Sequence, residues 1–366
     1  MKDLALAHYK YVLSQKGNVI SYPRNVTSWK DFLKSKHLIP ARGLYVIKNK
    51  ADIIAYRSFT KFPNVHEVTE LLGGVPEVRR AFRKHDGTLV VIRKVKNKVI
   101  IHTRSSENNA FVKLTKGLLE NKEPLLELEG EYAIMLELVN KDKNLLEKLN
   151  EELRSLGVGE LDEVPPLPGR PLAPEWVEYK LLGARVFESP ALFSKGRLVG
   201  DERSALLPPD SARRYLSALK EALAAPVEEA RRDEDVEVEA NKAENFDDLM
   251  MIKKLALPIE GWVLWLKDDV SEELVGPVPY YFRPDPLLKL KLDWYLFFAR
   301  CPKIRTALDC ARWMKDDLGE ELVTKIELVS RLLEEAKRNK INVKKYLEAP
   351  LSEIDRVIIE LTSLLG

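Results

Sequence analysis

Apolar residues recur at two periods along this chain, and the places where one period gives way to the other predict its elements. Residues 3 to 14 repeat at helical spacing, after which NVISYP, GLYVIKN and ADIIAYR alternate as strands between turn-rich joints. The stretch AFRKHDGTLVVIRK is also strand-like, and TLVVIRKV and NKVIIHT form a hairpin about a Lys-Asn turn. A helix is expected over 107 to 119. EYAIMLELV then reads as a buried strand whose apolar run is broken only by Glu131 and Glu137. A carboxylate in such a strand needs a partner.

Residues 141 to 157 return to helical spacing, and GVGELDEVPPLPGRPLAPEW follows as an extended loop dense in Pro and Gly. The segment from 141 to 175 is an insertion of no evident role. VEYKLLGARVF resumes a strand, 210 to 225 a helix, and EEARRDEDVEVEANKAE is too charged to belong to a core. Residues 245 to 257 are helical, whereas GWVLWLKD and LLKLKLDWYLFF are strands on either side of the Pro-rich GPVPYYFRPDP. Beyond Arg300 three segments carry only helical periodicity, with Pro302 and Pro350 as boundary signals. The expected fold class is therefore α+β with antiparallel sheets over residues 1–299, plus a helical domain over 300–366.

Composition changes this picture little. The chain has 366 residues, 45% hydrophobic and 32% charged, with a net charge of +2. That length can bury a sizeable core, and so small a net charge means that any grip on nucleic acid must come from a local patch. Between Arg79 and Arg104 lie nine basic residues opposed only by Asp86, a patch that reads as a nucleic-acid path or as a solvated strand edge. Gln15 is the only glutamine among abundant Glu, Lys and Arg, which leans towards a thermophilic source. No apolar run is long enough for a signal peptide or a membrane span, so the expected location is cytoplasmic, with no membrane and no protein partner evident. Cys301 and Cys310 are nine apart in an expected helix, on nearly opposite faces, and the five histidines lack zinc-ligand spacing.

Candidate chemistry begins at Lys84-His85-Asp86-Gly87. Alone, the tetrapeptide could be a surface turn. It is followed in order by Glu137, Glu260-Gly261 and Lys289-Leu290-Lys291, and this ordered set suits covalent nucleotidyl transfer. An amine attacks a phosphate, other cations hold the phosphates, and carboxylates position a divalent metal. Lys289 and Lys291 alternate by two, so they would project from one strand face, lowering the Lys84 pKa and neutralising charge in the transition state. Glu137 and Glu260 offer hard oxygen ligands for Mg²⁺ or for a ribose hydroxyl. Gly87 suits a tight turn that brings backbone amides to a nucleotide. Each motif has a plainer reading when taken singly: an exposed strand face for Lys-Leu-Lys, and a strand-end glutamate for Glu137 or Glu260.

The pieces ISYPRNVTSWKDFL, ARGLYVIKNKADIIAYRSFTKFPNVHE and FRKHDGTLV, then IIHTRSS, MLEL, KLLGARVF, IEGWV and LKLKLDWY, together resemble ATP-dependent RNA ligases of the bacteriophage type. They are also similar to the adenylyltransferase domain of fungal tRNA ligases. The resemblance covers roughly three quarters of the chain, discontinuously. It implies a ligase-type nucleotidyltransferase domain over 1–299 in which Lys84 is adenylylated and Asp86 and Gly87 shape its loop. Glu137 and Glu260 would contact the nucleotide or a metal, directly or through water, and Gly261 would adjoin the nucleotide. Lys289 and Lys291 would hold the α-phosphate, and Arg42 and Lys61 the β- and γ-phosphates. Arg104 stands where phage relatives tend to have lysine, and His85 where glutamate is frequent.

The implied cofactors are ATP and Mg²⁺ or Mn²⁺. The implied partner is RNA with 5′-phosphate and 3′-hydroxyl ends, tRNA among the candidates, and the implied reaction seals those ends through lysyl-AMP. The basic strands from Arg79 to Arg104 would line the RNA path. A DNA ligase, a capping enzyme and a non-catalytic RNA-binding relative are the alternatives. No Gly-x-x-x-x-Gly-Lys-Ser/Thr sequence is present, so the kinase half of a tRNA ligase is absent, as are the two His-x-Ser/Thr elements of a cyclic phosphodiesterase.

Overall fold

The structure, a computed structural model, describes residues 2–26, 28–155, 160–164, 172–254, 257, 259–292, 295, 303–308, 320–349 and 351–365. Cys301, Cys310, Pro302, Pro350 and much of the Pro-rich loop from 157 to 176 lie outside them. Two compact units result. One comprises residues 1–141, 163–246 and 262–290, and the other residues 142–162, 247–261 and 291–366.

The strands, in chain order, are β1 (Val19–Ser21), β2 (Arg42–Asn49), β3 (Asp52–Tyr56), β4 (Val78–Arg83), β5 (Thr88–Val95), β6 (Lys98–Thr103) and β7 (Glu131–Asn140). They continue with β8 (Val177–Ser189), β9 (Ala191–Ser194), β10 (Arg197–Gly200), β11 (Arg203–Leu207), β12 (Val227–Glu229), β13 (Gly261–Leu266) and β14 (Leu287–Lys291). Three sheets form, ordered β1-β2-β3-β9-β10, β11-β8-β7-β5-β6 with β12 beside β8, and β14-β13-β4. The first two are antiparallel except where β12 runs parallel to β8. The α+β expectation with antiparallel sheets holds.

The central strand β5 is covered on both faces, and its side chains sort by parity. Val90 and Ile92 join a core with Ile134, Leu136 and Leu138 of β7, roofed by helices Ala110–Leu118 and Arg213–Ala222. Leu89, Val91 and Val95 join Ala133 and Met135 in the opposite core with Phe59, Phe62, Phe82 and Trp265. Period-2 geometry thereby assigns Glu137, paired with Leu89, to this second, aromatic side.

Two expectations need correction. The charged segment from 228 to 244 is not excluded from the core, because Asp233 caps a helix, Glu234–Lys242, that buries Val236 and Ala240. Its Glu237 pairs with Arg232 and accepts from the Ala81 N–H, so the charge is absorbed locally. The patch from Arg79 to Arg104 is not one solvated or RNA-facing strip, since Arg93 is 0% and Lys94 8% exposed. Lys94 Nζ donates to the Leu126 and Leu128 carbonyls at the end of helix Glu123–Glu127, and Arg93 donates to His102 Nε2 at 2.9 Å. The two residues face opposite sides of β5, and both sides are covered. Lys96 and Lys98 stay exposed at the hairpin turn.

The second unit has its own helical core. Ile326, Val329 and Leu333 of helix Glu320–Arg338 pack with Ile354, Val357 and Leu361 of helix Ile354–Leu365. Helix Lys143–Ser155 from the insertion packs beside Leu351–Glu353 in the same unit. Asn150 returns the chain after it, exchanging hydrogen bonds of 2.7 and 2.9 Å with Leu161.

Candidate active site

Within the first unit Lys84, Glu137, Arg42 and Lys289 line one cavity. Its other walls include Phe59, Phe62, Phe82, Val263 and Trp265, together with Arg83 and His85. An apolar cleft with a few convergent polar groups is the usual form of a small-molecule site.

The lysine is placed by a change of sheet. Strand β4 pairs with β13 and ends at Arg83, β5 begins at Thr88 in a different sheet, and Lys84 to Gly87 make the crossing. Gly87 permits it. A Cβ there would sit 2.9 Å from Glu137 Cγ and far inside the contact distance of the Leu138 carbonyl oxygen, so the loop lies against β7 where Glu137 projects. Glu163 fastens the same loop, its Oε2 lying 2.9 Å from His85 Nδ1 and its Oε1 accepting from the Asp86 N–H at 2.8 Å. Burial alone would push the Glu163 carboxyl up, but these two hydrogen bonds, with Arg83 nearby, hold it below the ordinary carboxylate value.

Cations gather about aromatic rings. Arg42 and Lys289 both lie over Phe62, at 5.1 and 4.7 Å from its centroid, and Lys289 Nζ also donates to the Phe62 carbonyl at 2.7 Å. Lys61 and Arg104 share Tyr22, at 5.8 and 5.4 Å, and Lys61 lies 5.0 Å from Phe32. Gly43, at φ +66, lets β2 start beside the Arg104 backbone, where a Cβ would meet Ser58 Oγ at 3.2 Å and Arg104 Cα at 3.4 Å. On Arg42 the Nε and one terminal nitrogen are buried without a hydrogen-bond acceptor among the described residues. Donors left so are destabilising until an acceptor arrives, and an anion is the natural one.

The segment from Ser58 to Phe62 has no regular structure, so its rigidity comes from charge. Arg57 pairs with Glu202 at 2.9 Å and Arg185 with Asp285, and all four side chains are buried. Asp285 accepts from the Thr60 N–H at 2.8 Å and its own N–H donates to Thr60 Oγ1, while Arg185 Nε donates to the Ser58 carbonyl. Phe59, Lys61 and Phe62 are held by this network.

Not every expected residue meets at the cavity. Lys61, Arg104, Asp86 and Gly87 are near neighbours of its lining and not part of it. Glu260 and Lys291 belong to the second unit, where they pair with each other at 2.5 Å, and Gly261 follows there. Among the described residues no three His, Cys, Asp or Glu side chains converge as a metal cage. Tyr22, the aromatic walls and Glu163 are not among the residues that the sequence singles out, and Arg83 stands out there only as part of the basic patch. Tyr22 and Phe32 lie within ISYPRNVTSWKDFL, but Glu163 sits in a loop whose pattern gives no signal.

A sequence profile of the RNA ligase family matches residues 40–295, well over half of the chain. The chain belongs to the RNA ligase family. No curated protein matches it significantly. Among solved structures it is similar to two variants of the Naegleria gruberi RNA ligase, each with AMP and Mn, at 13% and 12% identity and TM-scores of 0.36 and 0.37. These matches cover 65% and 76% of this chain. It is also similar to an archaeal ATP-dependent RNA ligase at 14% identity, covering 89% of this chain with a TM-score of 0.35. The chain spans 57%, 62% and 66% of the lengths of those three chains, so family membership rests on the profile match.

Proposed function

We propose that this member of the RNA ligase family is an ATP-dependent enzyme that seals RNA 5′-phosphate and 3′-hydroxyl ends. The observation that carries the reading is the convergence of Lys84, Glu137, Lys289 and Arg42, with its open donors, on one cavity. In the first step the Lys84 amine forms a P–N bond to the α-phosphorus of ATP, the bond to the β-phosphate oxygen breaks, and pyrophosphate leaves. The RNA 5′-phosphate next displaces the amine from phosphorus. The RNA 3′-hydroxyl then displaces AMP, each step being an in-line substitution that positioning and electrostatics accelerate.

Lys289 neutralises the α-phosphate, and Arg42 with Lys61 and Arg104 receives the β- and γ-phosphates. Asp86 and Gly87 shape the loop of Lys84, and the aromatic walls take the base. A divalent ion, Mg²⁺ or Mn²⁺, fits beside Glu137 only if phosphate oxygens and water complete its shell, as suits Mg²⁺. When bound it would supply charge neutralisation at the phosphates. Residues 1–299 carry the transfer and 300–366 recognise folded RNA, tRNA being one such ligand.

The test is label transfer from α-labelled ATP to the full chain. Wild type should take label and Lys84→Ala should take none, a loss of at least a thousandfold at unchanged stability. Persistent labelling would name another nucleophile. Labelled GTP and DNA ends, run in parallel, would reveal a capping enzyme or a DNA ligase.

A further inference from the structure

His85 follows the proposed nucleophile directly, is 4% exposed, and lines the same cavity, yet its two ring nitrogens face different surroundings. Nδ1 is engaged by Glu163, whereas Nε2 is buried with no hydrogen-bond partner among the described residues. A carboxylate only accepts, so Nδ1 carries the proton, and Nε2 offers a lone pair in the neutral ring or an N–H in the charged one. The second Glu163 oxygen fixes the Asp86 N–H, so one side chain from the insertion orients two successive residues after Lys84. A buried nitrogen left unmet in this way calls for a ligand atom.

We propose that His85 Nε2 binds a ribose hydroxyl of ATP and that Glu163 is the residue that positions it. This rests on the ATP reading above. Beside the residue that meets the α-phosphorus, the nucleotide offers phosphate oxygens and ribose hydroxyls. Phosphate oxygens only accept and would oppose the lone pair of a neutral ring. A hydroxyl both donates and accepts, and so serves His85 in either charge state. Arg42 and Lys289, acting as donors in the same cavity, answer the phosphates.

The experiment measures equilibrium binding of ATP, 2′-deoxy-ATP and 3′-deoxy-ATP by calorimetry on the full chain carrying Lys84→Ala, where no transfer competes. His85→Asn keeps a donor for Glu163 and removes Nε2. It should weaken ATP about tenfold, the worth of one hydrogen bond, and should leave the affinity for one of the two deoxy analogues unchanged, naming the hydroxyl. Glu163→Gln still accepts from Asp86 but replaces the charge-assisted contact to Nδ1 with a neutral one, so the ring is held less firmly. It should weaken ATP about threefold with the same analogue dependence, adding nothing when combined with His85→Asn. Should His85→Asn fail to fold, as thermal unfolding would show, Glu163→Gln carries the test. Unchanged ATP affinity, or an equal loss for ATP and both deoxy analogues, overturns the proposal. Label transfer with Lys84 intact is scored separately, so failure of the ligase reading and failure of this one appear in different measurements.

Discussion

Arg57 and Arg185 on one side, and Arg42 on the other, are arginines buried wholly or in part within a single compact unit, and their N–H groups meet opposite fates. The first pair is saturated by Glu202, Asp285 and backbone carbonyls. Burial opposes the charge on Arg57, but Glu202 more than restores it and holds the guanidinium above its ordinary value. Asp285, which burial would raise, is held below the ordinary value by Arg185, by Arg57 and by the Thr60 N–H. Arg42 has a ring beneath it and two donors without acceptors among the described residues. Arg93 stands between, donating to a histidine nitrogen and to carbonyls, and burial pushes it down to about 9. Identical side chains thus differ according to whether the fold completes their hydrogen bonds, which fits the first pair for scaffold and leaves Arg42 open to an anion.

The sharpest break of that contrast is a pair of substitutions. Arg185→Met should cost about 3–5 kcal/mol in urea unfolding, because Asp285 would be left buried and unpaired. Arg42→Met should leave stability within about 0.5 kcal/mol and raise half-saturating ATP tens-fold in the labelling assay. If both destabilise alike, Arg42 is scaffold and the distinction fails.

A second test uses pH. Burial pushes His8 down to about 3 and His102 well below its ordinary value, so both are neutral in the folded protein. The unfolded chain takes up those protons below about pH 6.5 and so binds more of them than the native state, which makes stability rise with pH. It should be complete above pH 6.5 and fall on acidification by up to about 1.4 kcal/mol per pH unit per histidine, measured by urea unfolding between pH 5 and 7.5. His8→Gln should shallow the slope.

The smallest effect separates buried from exposed lysines on the basic hairpin. Lys94→Met should cost about 1 kcal/mol through the lost carbonyl contacts and leave the salt dependence of RNA binding unchanged. Lys98→Ala should do the reverse, reducing the salt slope by about 0.7 if that turn meets single-stranded RNA. A changed slope for Lys94→Met would place that lysine at the RNA surface.

Strand periodicity made the site partly readable in advance. Glu137 sits at the odd position of an otherwise apolar strand, and parity alone put it opposite Leu136 and Leu138. Alternation puts Arg93 and Lys94 on opposite faces of β5, so both are buried only because each face is covered, which the abundant charge nearby argued against. Lys289 and Lys291 share a strand as expected, yet their partners differ, Phe62 for one and Glu260 for the other. Glu163 was invisible because a loop contact over 78 residues leaves no period to read.

From the sequence alone came the nucleophile candidate, the antiparallel α+β class and the order of the motifs, because each is written in local spacing. The tertiary structure decided which cations keep open donors, that Gly87 must lack a side chain against Leu138, and that Glu163 returns to fix His85 and Asp86. These depend on which distant atoms complete a hydrogen bond or exclude a Cβ. Such completion is a property of packing, settled only when the sheets come together.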